Sequence, residues 1–154
     1  MVAYNFPPED ARAIIFGIKA SVIKPHGKRP HVAVGGTVHA FCGAVPPLWM
    51  KSPECHRLIV APCSRSEEIV IEAERVTLGN AVMVTPEWFE TLARDEGFSD
   101  FGSLQVHYDR LYGLPFRGQY IRWRPDRAEF RAQWPLIVKP PGPPDSTDQA
   151  AQPP

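Results

Sequence analysis

The feature that most constrains the fold of this chain is its punctuation: runs of strand or helix length follow one another, and glycine or proline cuts off nearly every one. Val2 to Phe6 reads as a short strand. Pro7 and Pro8 then suit a helix entry, because proline is tolerated in the first turn. Ala11, Ile14, Ile15 and Ile18 recur at helical spacing and predict one apolar face. Glu9 and Asp10 stand in the first turn, where the helix dipole favours acids, and Gly17 is a left-handed stop. Lys19 to Lys24 is β-prone, and Pro25, Gly27 and Pro30 make the following loop irregular. After a Gly35-Gly36 turn, Thr37 to Cys42 alternates, with Val38 and Ala40 on one face and His39 and Phe41 on the other.

Arg57 to Ala61 and Ile69 to Ile71 are strand-like, and the second leads into an alternation that sets Glu72 and Glu74 opposite Ile71 and Ala73. Gly79-Asn80 is a turn before a short strand, Ala81 to Val84. Thr85 and Pro86 supply a cap and a first helical position for a helix that buries Trp88, Phe89 and Leu92 and closes at Gly97. Ser99 caps a second helix with a Leu104, Tyr108, Leu111 stripe, ended by Gly113. Phe116 to Trp123 is the last strand. The order predicts an α+β fold: a small closed sheet, barrel rather than open, with helices over its ends.

A chain of 154 residues accommodates one domain and a tail, here 1–125 and 126–154. Many of the 18 prolines lie near the C-terminus, and Lys139 to Pro154 has nothing to bury, so it is expected to be disordered. Trp134, Leu136, Ile137 and Val138 are apolar enough to pack back onto the domain or to meet a protein partner. Three cysteines without a CxxC pair fit neither a disulfide framework nor a zinc ribbon, and free thiols point to a reducing cytoplasm. The histidines show no metal spacing, so no metal and no cofactor is expected. No apolar run reaches membrane-spanning length, and the opening MVAYNFPPED lacks a signal-peptide pattern. The expectation is a cytoplasmic protein without membrane association. Neither a Walker loop nor a Rossmann fingerprint occurs.

The formal net charge is zero, yet the charge is unevenly laid out. Between Asp10 and Glu54 every ionised side chain is basic, and Gly17 to His31 concentrates Lys19, Lys24, Lys28 and Arg29 with two histidines. Such a field favours an anionic ligand; the alternative is a solvated loop. Lys19 is a catalytic base if burial lowers its pKa, and otherwise a phosphate contact or a surface lysine. Tyr120, Arg122, Trp123 and Arg124 combine aromatic and basic groups as base-stacking surfaces do; the alternative is a strand with one buried and one wet face.

Gly17-Ile18-Lys19 followed by Lys24 resembles the G-x-K-x-x-x-x-R signature of the ASCH family, a PUA-like β-barrel. The opening MVAYNF, the Cys55–Cys63 strand, the segment Leu92 to Gly113 and the closing Tyr120 to Pro125 resemble small bacterial and phage-associated members. The resemblance implies a cleft that binds RNA or a nucleotide-like ligand, with Lys19, Lys24, Lys28, Arg29, Tyr120 and Arg122 as binding residues. Some relatives are amidohydrolases acting on acylated cytidine through a Lys, a Thr three residues later and a Glu. Lys19 and Glu96 match the first and last and are the catalytic candidates. Val22 stands at the threonine position, and valine supplies no nucleophile. Alternation is expected to carry the Ser21 hydroxyl to the wrong side. The balance therefore favours binding. The alternatives are a nucleoside amidohydrolase or ribonuclease of the same fold, and a protein-interaction module working through the tail.

Overall fold

The structure, a computed structural model, describes residues 2–131. Eight strands form one strongly curled sheet with three α-helices: β1 (Val2–Phe6), α1 (Ala11–Ile15), β2 (Ser21–Pro25), β3 (Thr37–Cys42), β4 (His56–Ile71), β5 (Val76–Leu78), β6 (Ala81–Met83), α2 (Pro86–Asp95), α3 (Phe101–Tyr112), β7 (Phe116–Trp123) and β8 (Glu129–Phe130). The tail residues for which disorder or packing was expected lie outside the described residues.

β4 is the spine. Its first half pairs with β3 on one edge and with β8 on the other; its second half pairs with β5 and β7. The sequence reads this element as two strands because Pro62 interrupts it and cannot donate to a ladder. The chain keeps its direction, and the ladder on one edge passes from β8 to β7 across an irregularity between Cys63 and Arg65. Glu72 and Glu74 are not on a strand. They lie in the turn between β4 and β5, where Ile69, Val70 and Ile71 pair with Leu78, Thr77 and Val76.

β1 pairs with β3 in parallel, and β2 pairs with β7 antiparallel. Among the described residues no ladder joins β1 to β2, so the expected closed sheet is a half-barrel with a seam between these two strands. The sheet also runs beyond Pro125, the expected domain edge, into β8.

Two apolar cores result. One lies inside the curl: Tyr4, Phe6, Ile14, Val22, Val38, Leu58, Ile121 and Trp123 pack there. The other lies between the outer face of the sheet and α2 and α3: Ile23, Ile69, Leu92, Leu104, Tyr108 and Tyr120 fill it. β2 and β7 are covered on both faces, one face by each core. The expected wet face of β7 is therefore confined to residues such as Arg122, while Tyr120, Ile121 and Trp123 are all buried.

Local chemistry sets the ends of these elements. α1 stops where Gly17 takes φ +75°, and the amides of Ile18 and Lys19 both return to the Ala13 carbonyl. Ile18 is thereby thrown off the helical face and is 79% exposed, against its expected place in the apolar stripe. Leu111 is likewise exposed on the last turn of α3. Asp100, rather than Ser99, caps α3 by accepting from the Ser103 amide at 2.7 Å.

Candidate functional site

Lys19 leaves the end of α1 with its backbone pinned to Ala13, so its side chain is delivered beside the start of β2. Glu96 sits at the C-terminal cap of α2. Its amide donates to the Leu92 carbonyl, and Gly97, at φ +88°, lets the Phe98 amide return to Ala93. The helix turn thus aims the Glu96 carboxylate at the β2–β7 face.

There the two residues meet. Lys19 Nζ lies 3.9 Å from Glu96 Oε2, with the side chains only 9% and 5% exposed. Ser21 Oγ donates to Glu96 Oε1 at 2.7 Å, and the Ile23 amide donates to Oε2 at 3.2 Å. Lys19 Nζ also donates to the Asp95 carbonyl at 3.2 Å. A carboxylate at a helix C-terminus is unfavourably placed in the helix field. The ammonium offsets this by capping a terminal carbonyl and balancing the charge. Burial pushes the Glu96 carboxyl above its usual range; Lys19, Ser21 and Ile23 act against that rise.

The hydroxyl is not on the wrong side. Ser21 stands two residues after Lys19, and its bond to Glu96 puts its side chain on the helix-facing side of β2. Val22 points the other way, into the core inside the curl. Alternation counted from Lys19 carries this signal, because residues i and i+2 share a face. Matching the valine position to the family threonine hid it.

Tyr120 pairs in register with Ile23, and Arg122 with Ser21, so both belong to the helix-facing side. Tyr120 is 4% exposed, which removes it as an open stacking platform. Burial raises its phenol pKa, while Arg122 and Ser21 act against that rise. Arg65 lies over its ring at 6.0 Å. Arg122 is exposed at the rim.

The remaining basic candidates are elsewhere. Lys24, on the opposite side of β2 from Ser21, reaches into the β1–β2 seam. Its Nζ donates to the Asn5 carbonyl at 3.4 Å and lies 5.8 Å from the centre of the Phe6 ring. The seam opens into a cleft of about 730 Å³, lined by Val2 to Asn5 of β1, by Lys24, Arg29 and His31, and by Ala44, Trp49 and Met50 of the loop after β3. Lys28 is exposed and does not line the cleft. The single basic cleft around Lys19 is therefore two places on opposite faces of β2: a buried Lys19–Ser21–Glu96 cluster and an open Lys24–Arg29 cleft. They communicate through charge. Burial lowers the Lys24 pKa, Glu96 works against this, and Lys19 adds to it.

No protein-family model, curated protein or solved structure matches this chain.

One wall of the cleft is a fixed aromatic pair. Tyr4 and His31 stack with centroids 5.9 Å apart and planes 10° from parallel. The Val32 amide donates to the Tyr4 hydroxyl at 3.2 Å, leaving that hydroxyl to donate to His31 Nδ1, also at 3.2 Å. His31 Nε2 then donates to the Pro25 carbonyl at 3.0 Å. Both ring nitrogens are engaged, so His31 is a wall and not a free base. His26, from the same loop, faces Glu68 at 3.7 Å, so an acid from β4 meets the acid-free segment at its edge. Among the described residues Lys24 and Arg29 form no ion pair. No group of three or more His, Cys, Asp or Glu among them could hold a metal, and none of their helices is long and apolar enough to cross a membrane. Tyr4, Asn5 and Trp49 escaped the sequence reading because none of the three carries a charge, and charge was the signal that marked the segment.

Proposed function

We propose that this chain is an ASCH-like domain that binds RNA or a nucleotide-like anion in the β1–β2 cleft. One observation carries the reading: Lys24 and Arg29 line a cleft of ligand size and, among the described residues, have no carboxylate partner there. The Asn5 carbonyl and the Phe6 ring hold Lys24 in place, and they leave its charge uncompensated. An anion entering the seam meets both cations against an aromatic wall.

The test is titration of labelled single-stranded RNA and of nucleoside monophosphates at several salt concentrations. Affinity should fall with salt at a log–log slope of about 0.7 per neutralised phosphate. Lys24→Ala and Arg29→Ala should each weaken binding and flatten the slope by about one contact. Lys28→Ala, outside the cleft, should change little. Salt-independent or absent binding by the wild type refutes the reading.

A specific observation favours a second reading, amidohydrolase chemistry: the Ser21 hydroxyl already donates to Glu96 beside Lys19. In that scheme Glu96 takes the Ser21 proton as the oxygen attacks an acyl carbon. The C–N bond breaks, and the amine leaves with the proton from Glu96. Water then cleaves the resulting ester. Ser21 is only 2% exposed, so this structure leaves an acyl group no open path to it, and the reading ranks second. Chromatography of an N4-acetylcytidine reaction tests it. Product formed by the wild type and lost in Ser21→Ala supports it, and no product removes it.

A further inference from the structure

We propose that Trp49 is the base-stacking wall of the cleft, so that the ligand unit is one nucleotide with its phosphate on Lys24 and Arg29 and its nucleobase against the indole. The inference rests on the reading of the cleft as a nucleotide-like site and assigns the part of that site which recognises the base.

Trp49 lines the cleft and is 56% exposed. Tryptophan is on average a highly buried residue, so an indole left this open contributes little to the fold it belongs to. Its backbone reinforces the point. Among the described residues Trp49 is the only non-glycine with positive φ, at +50°, a region that bulky side chains rarely occupy. Such a conformation persists only where its surroundings hold it. Here the hold is backbone and serine: the Trp49 amide donates to the Val45 carbonyl at 2.7 Å, the Ser52 amide donates to the Trp49 carbonyl at 3.0 Å, and the Val45 amide donates to Ser52 Oγ at 3.4 Å. None of these bonds uses the indole. Glycine or asparagine would meet the backbone requirement better, so the ring needs another explanation.

The cleft supplies one. Its other aromatic groups, Tyr4 and His31, are stacked on each other and have their polar atoms engaged. Lys24 and Arg29 provide for an anion and contribute nothing to recognising a planar ring. Among the described residues lining the cleft, the indole is the aromatic surface that stacks on no other ring. A base stacked on it and a phosphate on the two cations would use each kind of group lining the cleft. The volume, about 730 Å³, lies in the range of small-molecule sites.

The experiment is calorimetric titration of the full chain with the four nucleoside 5′-monophosphates and with ribose 5-phosphate, which keeps the phosphate and lacks the base. Trp49→Ala should weaken every nucleoside monophosphate about tenfold, the usual size of a base–aromatic stack, and leave ribose 5-phosphate unchanged. Trp49→Phe should retain most of the affinity. Lys24→Ala should weaken nucleotides and sugar phosphate alike. Nucleotide binding to Trp49→Ala at wild-type strength overturns the inference and leaves the cleft reading standing. Equal loss of ribose 5-phosphate in Trp49→Ala also overturns it, because the ring would then only shape the loop. A wild type that binds neither nucleotide nor sugar phosphate overturns the cleft reading, and this inference with it.

Discussion

Replacing Lys19 by methionine tests whether the buried pair is electrostatic in the way its geometry implies. Methionine keeps the length of the side chain and removes the charge. The pair stands at 3.9 Å with both side chains under a tenth exposed. At that separation two unit charges attract by about 4 kcal/mol when the effective dielectric constant is about 20. The substitution also removes the bond from Nζ to the Asp95 carbonyl, and methionine packing offsets part of that loss. Breaking a buried pair from one side costs about 3–5 kcal/mol, because the remaining charge is left uncompensated.

The cost should depend on pH, with a definite sign. Burial already holds the Glu96 carboxyl above its unfolded pKa, and the Lys19 charge is the largest influence against that rise. Removing Lys19 raises the folded-state value further. A carboxyl with a raised folded-state pKa contributes stability that is complete below the unfolded value and is lost as pH rises through the folded one. Lys19→Met should therefore cost less at pH 5 than at pH 8, where the loss should be about 3–5 kcal/mol. Urea unfolding followed by circular dichroism at both pH values measures this. Lys19→Met with Glu96→Gln should recover much of the pH 8 loss, since no buried charge then remains. Equal losses at the two pH values, or a double variant no more stable than the single one, would refute the electrostatic account.

Val22→Thr should restore no hydrolysis and should destabilise by about 1–3 kcal/mol, because its hydroxyl enters the apolar core inside the curl without a partner; thermal melts and the acetylcytidine assay check both halves. Gly118→Ala should cost about 1–3 kcal/mol in urea unfolding, since a Cβ there would stand 2.5 Å from the Lys24 carbonyl and 2.7 Å from the Phe116 ring. Nucleotide affinity should fall as pH rises at a lower pH than an ordinary lysine would impose, because burial lowers the Lys24 pKa and the anion needs the protonated form; titrations across the alkaline range read this, and Lys24→Arg should remove the dependence.

Where the determinants are local, the sequence was sufficient. Gly17, Gly97 and Gly113 end their helices with positive φ. β1, β3 and β7 run over the ranges that their alternation and turn signals predict, and the mixed α+β class follows from the order of the elements. Period and punctuation are properties of neighbouring residues, and neighbouring residues decide them. Pro62 marks the limit of this kind of reading. A proline argues for a strand end, yet β4 continues because pairing on its two edges, from distant segments, spans the position. The assignment of faces was only half legible. Alternation puts Ser21 with Lys19 and Val22 opposite them. It takes the packing of α2 and α3 against the outer surface of the sheet to make one face a polar pocket and the other an apolar core. Lys19 and Glu96 were linked in the sequence only through a family resemblance; no local pattern joins them. Their pairing exists because the turn after α2 comes down over β2, where burial makes an unpaired charge costly and holds the ammonium and carboxylate together. The cleft is a matter of tertiary structure in full. It is the seam left where β1 and β2 fail to pair, and a gap between strands distant in order leaves no trace in the residues on either side.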